Sequence, residues 1–283
     1  MREPVEAVID AVADLAPEIR AGLPGRRVKT DEQNPSDEVQ LAADVWADER
    51  LEERLLSIEG VDTYASEERE AQIETGTGDG LSVTLDPLDG SSNLASNNPM
   101  GTILGVYDAP LPASGTDLLA AAYVLFGPIT TMTVAVDGHV TEYVVENDGS
   151  RRAVREDVRL PEDPVVYGFG GRVPDWTDAF GAFAEEIEQE LKLRYGGAMI
   201  ADVNQVVTYG GIFSYPGLVS RPEGKLRLQF EGIPMASVIE TAGGAASDGG
   251  RSLLEKTPTA LHERTPVHLG NQALIDRLEA TLA

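Results

Sequence analysis

The sequence predicts a layered α+β protein. Three observations carry that expectation: a helix-periodic N-terminal segment, a central series of short runs with strand character, and a C-terminal half in which strand and helix patterns alternate.

Val5, Val8, Ile9, Val12, Leu15 and Ile19 recur at helical spacing and stop before Pro24-Gly25. A polar loop is expected over about residues 29–37, and a second helix over about 38–56 carrying Val39, Val45, Leu51 and Leu55. Residues 81–85 (LSVTL) read as a strand, followed by the runs MGTILGVY, LLAAAYVLF and TMTVAVD. Asp137-Gly138 then signals a hairpin into HVTEYVV. The charged, proline-bearing stretch 151–164 reads as a junction between subdomains 1–155 and 156–283. Beyond it come VVYGFG, a helix near 176–191 and the segment AMIADVNQVVTY. KLRLQFE alternates as a strand, a helix ends near Gly243-Gly244, PVHLG is a late strand, and a helix closes the chain.

The 283 residues contain no cysteine, which excludes disulfides, thiolate metal sites and cysteine nucleophiles. No run approaches the roughly 18 apolar residues of a membrane helix. The first residues, MREPVEAVIDAVADLAPEIR, are acidic and amphipathic, unlike a secretory or transit signal, so a cytoplasmic location is expected. The net charge of −26 repels nucleic acids and anionic membranes. Its basic residues are nearly all arginine, the lysines being Lys29, Lys192, Lys225 and Lys256. Such a composition suits a salt-rich cytoplasm, where the screening length falls to about 3 Å.

The chemistry concentrates in Asp86-Pro87-Leu88-Asp89-Gly90-Ser91-Ser92-Asn93. Pro87 removes a backbone donor and is expected to force a turn at the strand end. Asp86 and Asp89 then converge, with the Leu88 carbonyl between them, as hard oxygen ligands suited to magnesium. Gly90, Ser91 and Ser92 offer small side chains and free amides that can cradle a phosphate. A lone aspartate here would be a helix cap; the whole octet serves metal-assisted phosphate hydrolysis. Ser66-Glu67-Glu68 upstream is, by itself, as consistent with a solvated acidic patch. Lys225, Arg227 and Glu231 would share one face of the KLRLQFE strand, as an ion-pair ladder or as a phosphate clamp beside a metal ligand.

The sequence resembles the class 1 fructose-1,6-bisphosphatases. SEE, DPLDGSSN, MGTILGVY, RYGGAMIADV, YGGIFSYP, GKLRLQFEGIPMASVIETAGG and TALHERTPVHLG occur in that family's order and at similar spacing. DEVQLAADVWADERL is similar to the family's segment ahead of the acidic pair, so the likeness covers about residue 34 to the end. The resemblance implies the sugar-phosphatase fold, an α-β-α-β-α sandwich, with two or three magnesium ions per site and manganese as a substitute. It implies that Glu67, Asp86, the Leu88 carbonyl, Asp89 and Glu231 bind metal. Asp44 and Glu68 would complete the metal shell and water network, with Glu49 assisting Glu68 in deprotonating water. Asp89, Gly90, Ser91, Ser92 and Asn93 would surround the scissile phosphate. Tyr195, Tyr215, Lys225 and Arg227 would hold the sugar and distal phosphate, and Met199 would pack against the sugar. Arg194 would reach a neighbouring subunit's distal phosphate, implying a homo-oligomer, dimer or tetramer. Gly170 and Val173 stand where the family carries an asparagine and a tyrosine on that phosphate. Gly80-Leu81 replaces the Lys-Tyr pair of the family's AMP site, and the family's arginine in the following strand region falls near Ser114-Gly115-Thr116, which carry no charge; this implies insensitivity to AMP.

The expected reaction is magnesium-dependent hydrolysis of fructose 1,6-bisphosphate to fructose 6-phosphate, a step of gluconeogenesis. The alternatives are a sedoheptulose 1,7-bisphosphatase and an inositol-monophosphatase-like enzyme; a basic clamp for a second phosphate argues against the latter. A non-enzymatic scaffold predicts broken metal ligands, yet Glu67, Asp86, Asp89 and Glu231 are all carboxylates. His139, His262 and His268 read as structural.

Overall fold

The computed structural model describes residues 2–33, 39–76 and 80–283. The N-terminal periodicity is realised as α1 (Arg2–Gly22), whose Val5, Val8, Ile9, Val12, Leu15 and Ile19 all enter one core. The expected polar loop is in part a strand: β1 (Lys29–Gln33) pairs antiparallel with β2 (Val39–Leu41). The second helix therefore starts late, as α2 (Ala42–Leu55), where the Asp44 carboxylate accepts the Leu41 N–H at 2.8 Å. The part of both expectations that falls on 34–38 lies outside the described residues.

Eight strands build the first sheet. They are β3 (Val61–Ser66), β4 (Ile73–Glu74), β5 (Leu81–Asp89), β6 (Met100–Tyr107), β7 (Leu118–Phe126), β8 (Thr130–Val136), β9 (His139–Val145) and β10 (Arg151–Arg155). Their order is β10-β9-β8-β7-β6-β5-β3-β4, and only β3 and β5 run parallel. A short helix, α3 (Asn93–Ser96), lies between β5 and β6. Alternation assigns the faces: Leu104 and Val106 of β6 join the core beneath α1, whereas Ile103 and Tyr107 join the opposite core. The charged start of the expected junction is an edge strand, β10. Arg151 fixes it by ion pairing with Glu6 and, at 2.8 Å, Asp10 of α1, with its guanidinium over the Tyr143 ring.

The second sheet has the order β12-β11-β13-β17-β15. Its strands are β11 (Val166–Phe169), β12 (Lys192–Leu193), β13 (Gly211–Tyr215), β15 (Ala245–Ser247) and β17 (Val267–Gly270); β14 (Leu226–Arg227) pairs separately with β16 (Arg264–Thr265). Four helices complete the chain: α4 (Asp178–Glu190), α5 (Met199–Tyr209), α6 (Ile233–Thr241) and α7 (Gln272–Leu282). Helices α1 and α2 cover the outer face of the first sheet. Helices α5 and α6 fill the space between the sheets, and α4 and α7 cover the second. The fold is thus a five-layer α-β-α-β-α sandwich.

KLRLQFE is not one strand. Only Leu226–Arg227 is extended, and Leu228–Gly232 forms a π-helical turn feeding α6. All five residues of that turn are buried between the layers, and even Gln229 is held, its Oε1 accepting the Ala113 N–H at 2.8 Å. Burial on both sides produces the alternating pattern without an extended backbone.

Candidate active site

Strand β5 does not end at Leu85. It pairs with β6 through Asp86, opposite Ile103, and again at Asp89, opposite Gly101, with an irregularity between them. Pro87 and Leu88 form this bulge, which turns both aspartates toward one cavity. The bulge is held locally: the Leu88 N–H donates to Asp86 Oδ1 at 3.0 Å, and the Thr102 hydroxyl donates to the Pro87 carbonyl at 2.8 Å. The proline thus makes a bulge within the strand rather than a turn after it.

Parallel pairing brings in the next carboxylate. Ser66 of β3 lies opposite Leu85, and the Glu67 N–H donates to the Leu85 carbonyl at 2.9 Å, so Glu67 emerges beside Asp86. Glu231 arrives from the π-helical turn, which curls back until its Oε2 accepts the Arg227 N–H at 2.6 Å. Glu67, Asp86 and Glu231 are all buried, and each offers an oxygen within 4.8 Å of the others. Asp89 lines the same cavity, its Oδ2 taking the Ile200 N–H at the start of α5 at 2.6 Å.

Burial drives the electrostatics. It pushes the Asp86 carboxyl well above the usual carboxylate range, with Glu67, Asp89 and Glu231 adding repulsion. Glu231 is raised well above its ordinary value by burial and then by Glu67 and Asp89. Burial raises Asp89 to about 7, against the Ile200 hydrogen bond and the Lys225 charge, which pull it down. Four crowded carboxylates of this kind, with no sulfur or imidazole among them, fit a hard divalent cation.

Almost every expected site residue lines this cavity. Asp44, Glu67, Glu68, Asp86, Leu88 and Asp89 do so, as do Gly90, Ser91, Ser92, Tyr195, Met199, Tyr215, Lys225, Arg227 and Glu231. Gly90 sits at φ +75°, and a Cβ there would come within 2.2 Å of Ala198 Cβ, so this position requires glycine.

Three expectations need correction. Glu49 is exposed and off the cavity: five residues after Asp44, it is turned about 140° around α2. Arg227 is only 3% exposed, and its guanidinium pairs with Glu67 Oε1 at 2.8 Å, so its charge is spent on a buried carboxylate rather than on an ion-pair ladder with Lys225. Asn93 is buried behind the cradle, donating from Nδ2 to the Pro99 and Gly196 carbonyls, each at 2.9 Å. Arg194, expected to reach a neighbouring subunit, is exposed and lies outside the cavity of its own chain.

Gly197, Phe213 and Leu226 also line the site, each next to or within a motif that sequence reasoning had marked. A supporting cluster behind Glu67-Glu68 was missed. Arg69 binds Asp48 and, at 2.5 Å, Glu52, while the Tyr64 hydroxyl donates to Asp48 Oδ1 at 2.8 Å. These contacts tie the Ser66–Arg69 segment to α2. The histidines stay out of the cavity: His262 Nε2 donates to the Arg69 carbonyl at 2.7 Å, His139 pairs with Asp157, and His268 is buried and lowered to about 4.

Comparison with known proteins bears on the family and the fold. The fructose-1,6-bisphosphatase N-terminal domain model matches residues 18–154 and the C-terminal domain model matches residues 160–283. A class 1 fructose-1,6-bisphosphatase of Natronomonas pharaonis is 61% identical over 282 residues, covering 100% of both chains. That of Halobacterium salinarum is 58% identical over 100% of this chain and 98% of its own. The crystal structure of Leishmania major fructose-1,6-bisphosphatase in holo form superposes with a TM-score of 0.91 at 29% identity, over 98% of this chain and 93% of that one.

Proposed function

The chain belongs to the class 1 fructose-1,6-bisphosphatase family, and from that premise we propose how its cavity performs the reaction. The protein is a metal-dependent phosphatase that hydrolyses fructose 1,6-bisphosphate to fructose 6-phosphate and phosphate. The observation that carries the site reading is that one cavity is lined by the buried carboxylates of Glu67, Asp86, Asp89 and Glu231 together with Tyr195, Tyr215 and Lys225.

The metal is read as magnesium, two or three ions per chain, with Glu67, Asp86, Asp89, Glu231, Glu68 and the Leu88 carbonyl as its ligands. When bound, magnesium supplies Lewis acidity toward water and the phosphoryl oxygens. Arg227 moderates the charge of Glu67. Gly90, Ser91 and Ser92 hold the scissile phosphate with backbone and hydroxyl donors. Glu68 would accept the proton of the attacking water, and Asp44, which lines the same cavity, would orient that water. Tyr195, Met199, Tyr215 and Lys225 hold the sugar and the second phosphate.

Lys225 and the two phenols predict strong selectivity. Charge-assisted hydrogen bonds are each worth about 1.5–3 kcal/mol, so a second phosphate should improve kcat/KM at least ~100-fold over inositol monophosphate. Phosphate release from both substrates with magnesium tests this, and equal values would remove the bisphosphatase reading of the site. The distal clamp is narrow. A Cβ at Gly170 would meet Tyr215 Cδ2 at 2.2 Å, so the Tyr215 ring excludes any side chain there, and Val173 is exposed. Sedoheptulose 1,7-bisphosphate is therefore the second substrate to assay.

The expectation of AMP insensitivity extends to the same region. Beside Gly80 the wall carries Asp62, Glu74 and Asp108, and Asp62 Oδ2 accepts the Gly80 N–H at 2.9 Å. Arg20, Arg26 and Arg27 are engaged elsewhere, by Thr130, by the Trp46 ring and by the Ala95 carbonyl. Millimolar AMP should leave the rate within about 20%, because among the described residues the charged groups lining that wall are all carboxylates. Non-competitive inhibition at micromolar AMP would contradict this.

Exposed Arg194 beside Tyr195 supports a homo-oligomer in which it serves a neighbouring site. Among the described residues no helix is long and apolar enough to cross a membrane; we place the enzyme in the cytoplasm.

A further inference from the structure

We infer that Asp202 is a positioning residue which, with Asn93, sets the Arg194–Gly197 turn and so locks the sugar side of the site to the phosphate cradle. The inference rests on the reading above that Tyr195 faces the sugar.

Asp202 lies on the first turn of α5 and is 2% exposed. Its Oδ1 accepts the Gly196 N–H at 2.6 Å, and the Gly197 amide faces the same carboxylate. From the other side Asn93, which opens α3 directly behind the cradle, donates to the Gly196 carbonyl at 2.9 Å. The peptide groups flanking Gly196 are therefore held by two side chains from different layers of the fold. The fit leaves little slack. A Cβ at Gly196 would lie 3.3 Å from Asp202 Oδ1, and one at Gly197, where φ is +80°, would lie 3.4 Å from Asn93 Oδ1.

Two further contacts bind the same parts. Asp89 Oδ2 takes the Ile200 N–H, and Gly90 packs directly against Ala198. Metal ligand, cradle and sugar-side turn thus share one anchor, the start of α5. Tyr195, one residue before the clamped glycine, is 45% exposed, so the turn's main chain does most of the work of placing it.

A carboxylate is a costly choice for this position. Asp202 sits between buried Ala201 and Val203, and burial raises it to about 7 even though the Gly196 and Gly197 amides pull it down. Stability alone would favour a neutral residue there. What the carboxylate supplies is an acceptor on which the Gly196 and Gly197 amides converge.

The test uses the full-length enzyme with magnesium. Asp202→Ala should raise KM for fructose 1,6-bisphosphate about tenfold with kcat within about twofold, the signature of lost uniform binding. The inhibition constant of fructose 6-phosphate should rise in step. That of inorganic phosphate, which needs only the cradle, should stay within about twofold. Asp202→Asn keeps one acceptor for Gly196 and should restore KM to within about threefold of wild type. Tyr195→Ala raises KM by itself, and adding Asp202→Ala to it should change KM by less than about twofold. Asn93→Ala should show the same pattern and serves as the second variant where Asp202→Ala fails to fold. Folded variants with unchanged KM, or effects that multiply with Tyr195→Ala, overturn the inference. A wild-type enzyme without bisphosphatase activity would instead remove the functional reading on which it rests.

Discussion

Glu231→Gln should lower turnover about a thousandfold and yet make the enzyme, stripped of divalent ions, harder to melt. The first effect follows from losing a charged ligand, worth about 4 kcal/mol of transition-state stabilisation. The second follows from the crowding of Glu67, Asp86, Asp89 and Glu231, whose burial and mutual repulsion raise Asp86, Asp89 and Glu231. A carboxyl whose folded pKa lies above its unfolded value is stabilising only while protonated, and its penalty grows as pH rises through the folded value. For Asp89 that window runs from about pH 4 to about pH 7. Removing one neighbouring charge relieves the others, and glutamine retains an acceptor for the Arg227 N–H. In EDTA at pH 8 the variant should therefore melt ~3 °C or more above wild type, and the gap should close as pH falls toward 5. Magnesium should raise the melting temperature of wild type and hardly move the variant. Turnover within tenfold of wild type, or a variant that melts lower in EDTA, would take Glu231 out of the metal site.

Much of this architecture was legible because its signals are local. Strands β6, β7 and β9 occupy the residues that their apolar runs mark, since a strand needs only its own pattern and a bounding turn. The octet from Asp86 to Asn93 carried ligands and cradle together for the same reason. The misreadings arise where distant layers decide. KLRLQFE has period two, yet burial on both sides allows a π-helical turn, and that turn aims Glu231. Arg227 meets Glu67 only because β14 and the end of β3 converge in space. Glu49 could have been excluded from the helix phase alone: Asp48 lies about 40° from Asp44 around α2, and it is the buried residue that grips Arg69. Asp202 had no local signal, because what distinguishes it is the turn lying above it.

The melting temperature should rise by roughly 10 °C or more between 0.1 and 2 M potassium chloride. The chain carries 48 acidic and 22 basic residues, and its surface shows how thinly the cations are spread. Arg50 is shared by Glu18 and Glu53, Arg151 by Glu6 and Asp10, and Arg277 by Glu186 and Glu190. Salt acts on both signs of interaction, so magnitudes decide. Exposed ion pairs are worth about 0–1 kcal/mol each, and screening them costs little. The unpaired excess repels over the whole surface at 0.1 M, where the screening length is about 10 Å, and much less at 1 M, where it is about 3 Å. Relief of about 3–4 kcal/mol corresponds to roughly 10 °C for a chain of this size. Screening saturates near molar salt, whereas strengthened apolar burial keeps growing, so the steep part of the curve should lie below ~1 M. Neutralising the exposed Glu185 and Glu188 of α4 to glutamine should shift that steep part to lower salt. A melting temperature that stays flat or falls with potassium chloride, or a curve unmoved in the doubly neutralised variant, would show that surface repulsion does not limit the stability of this fold.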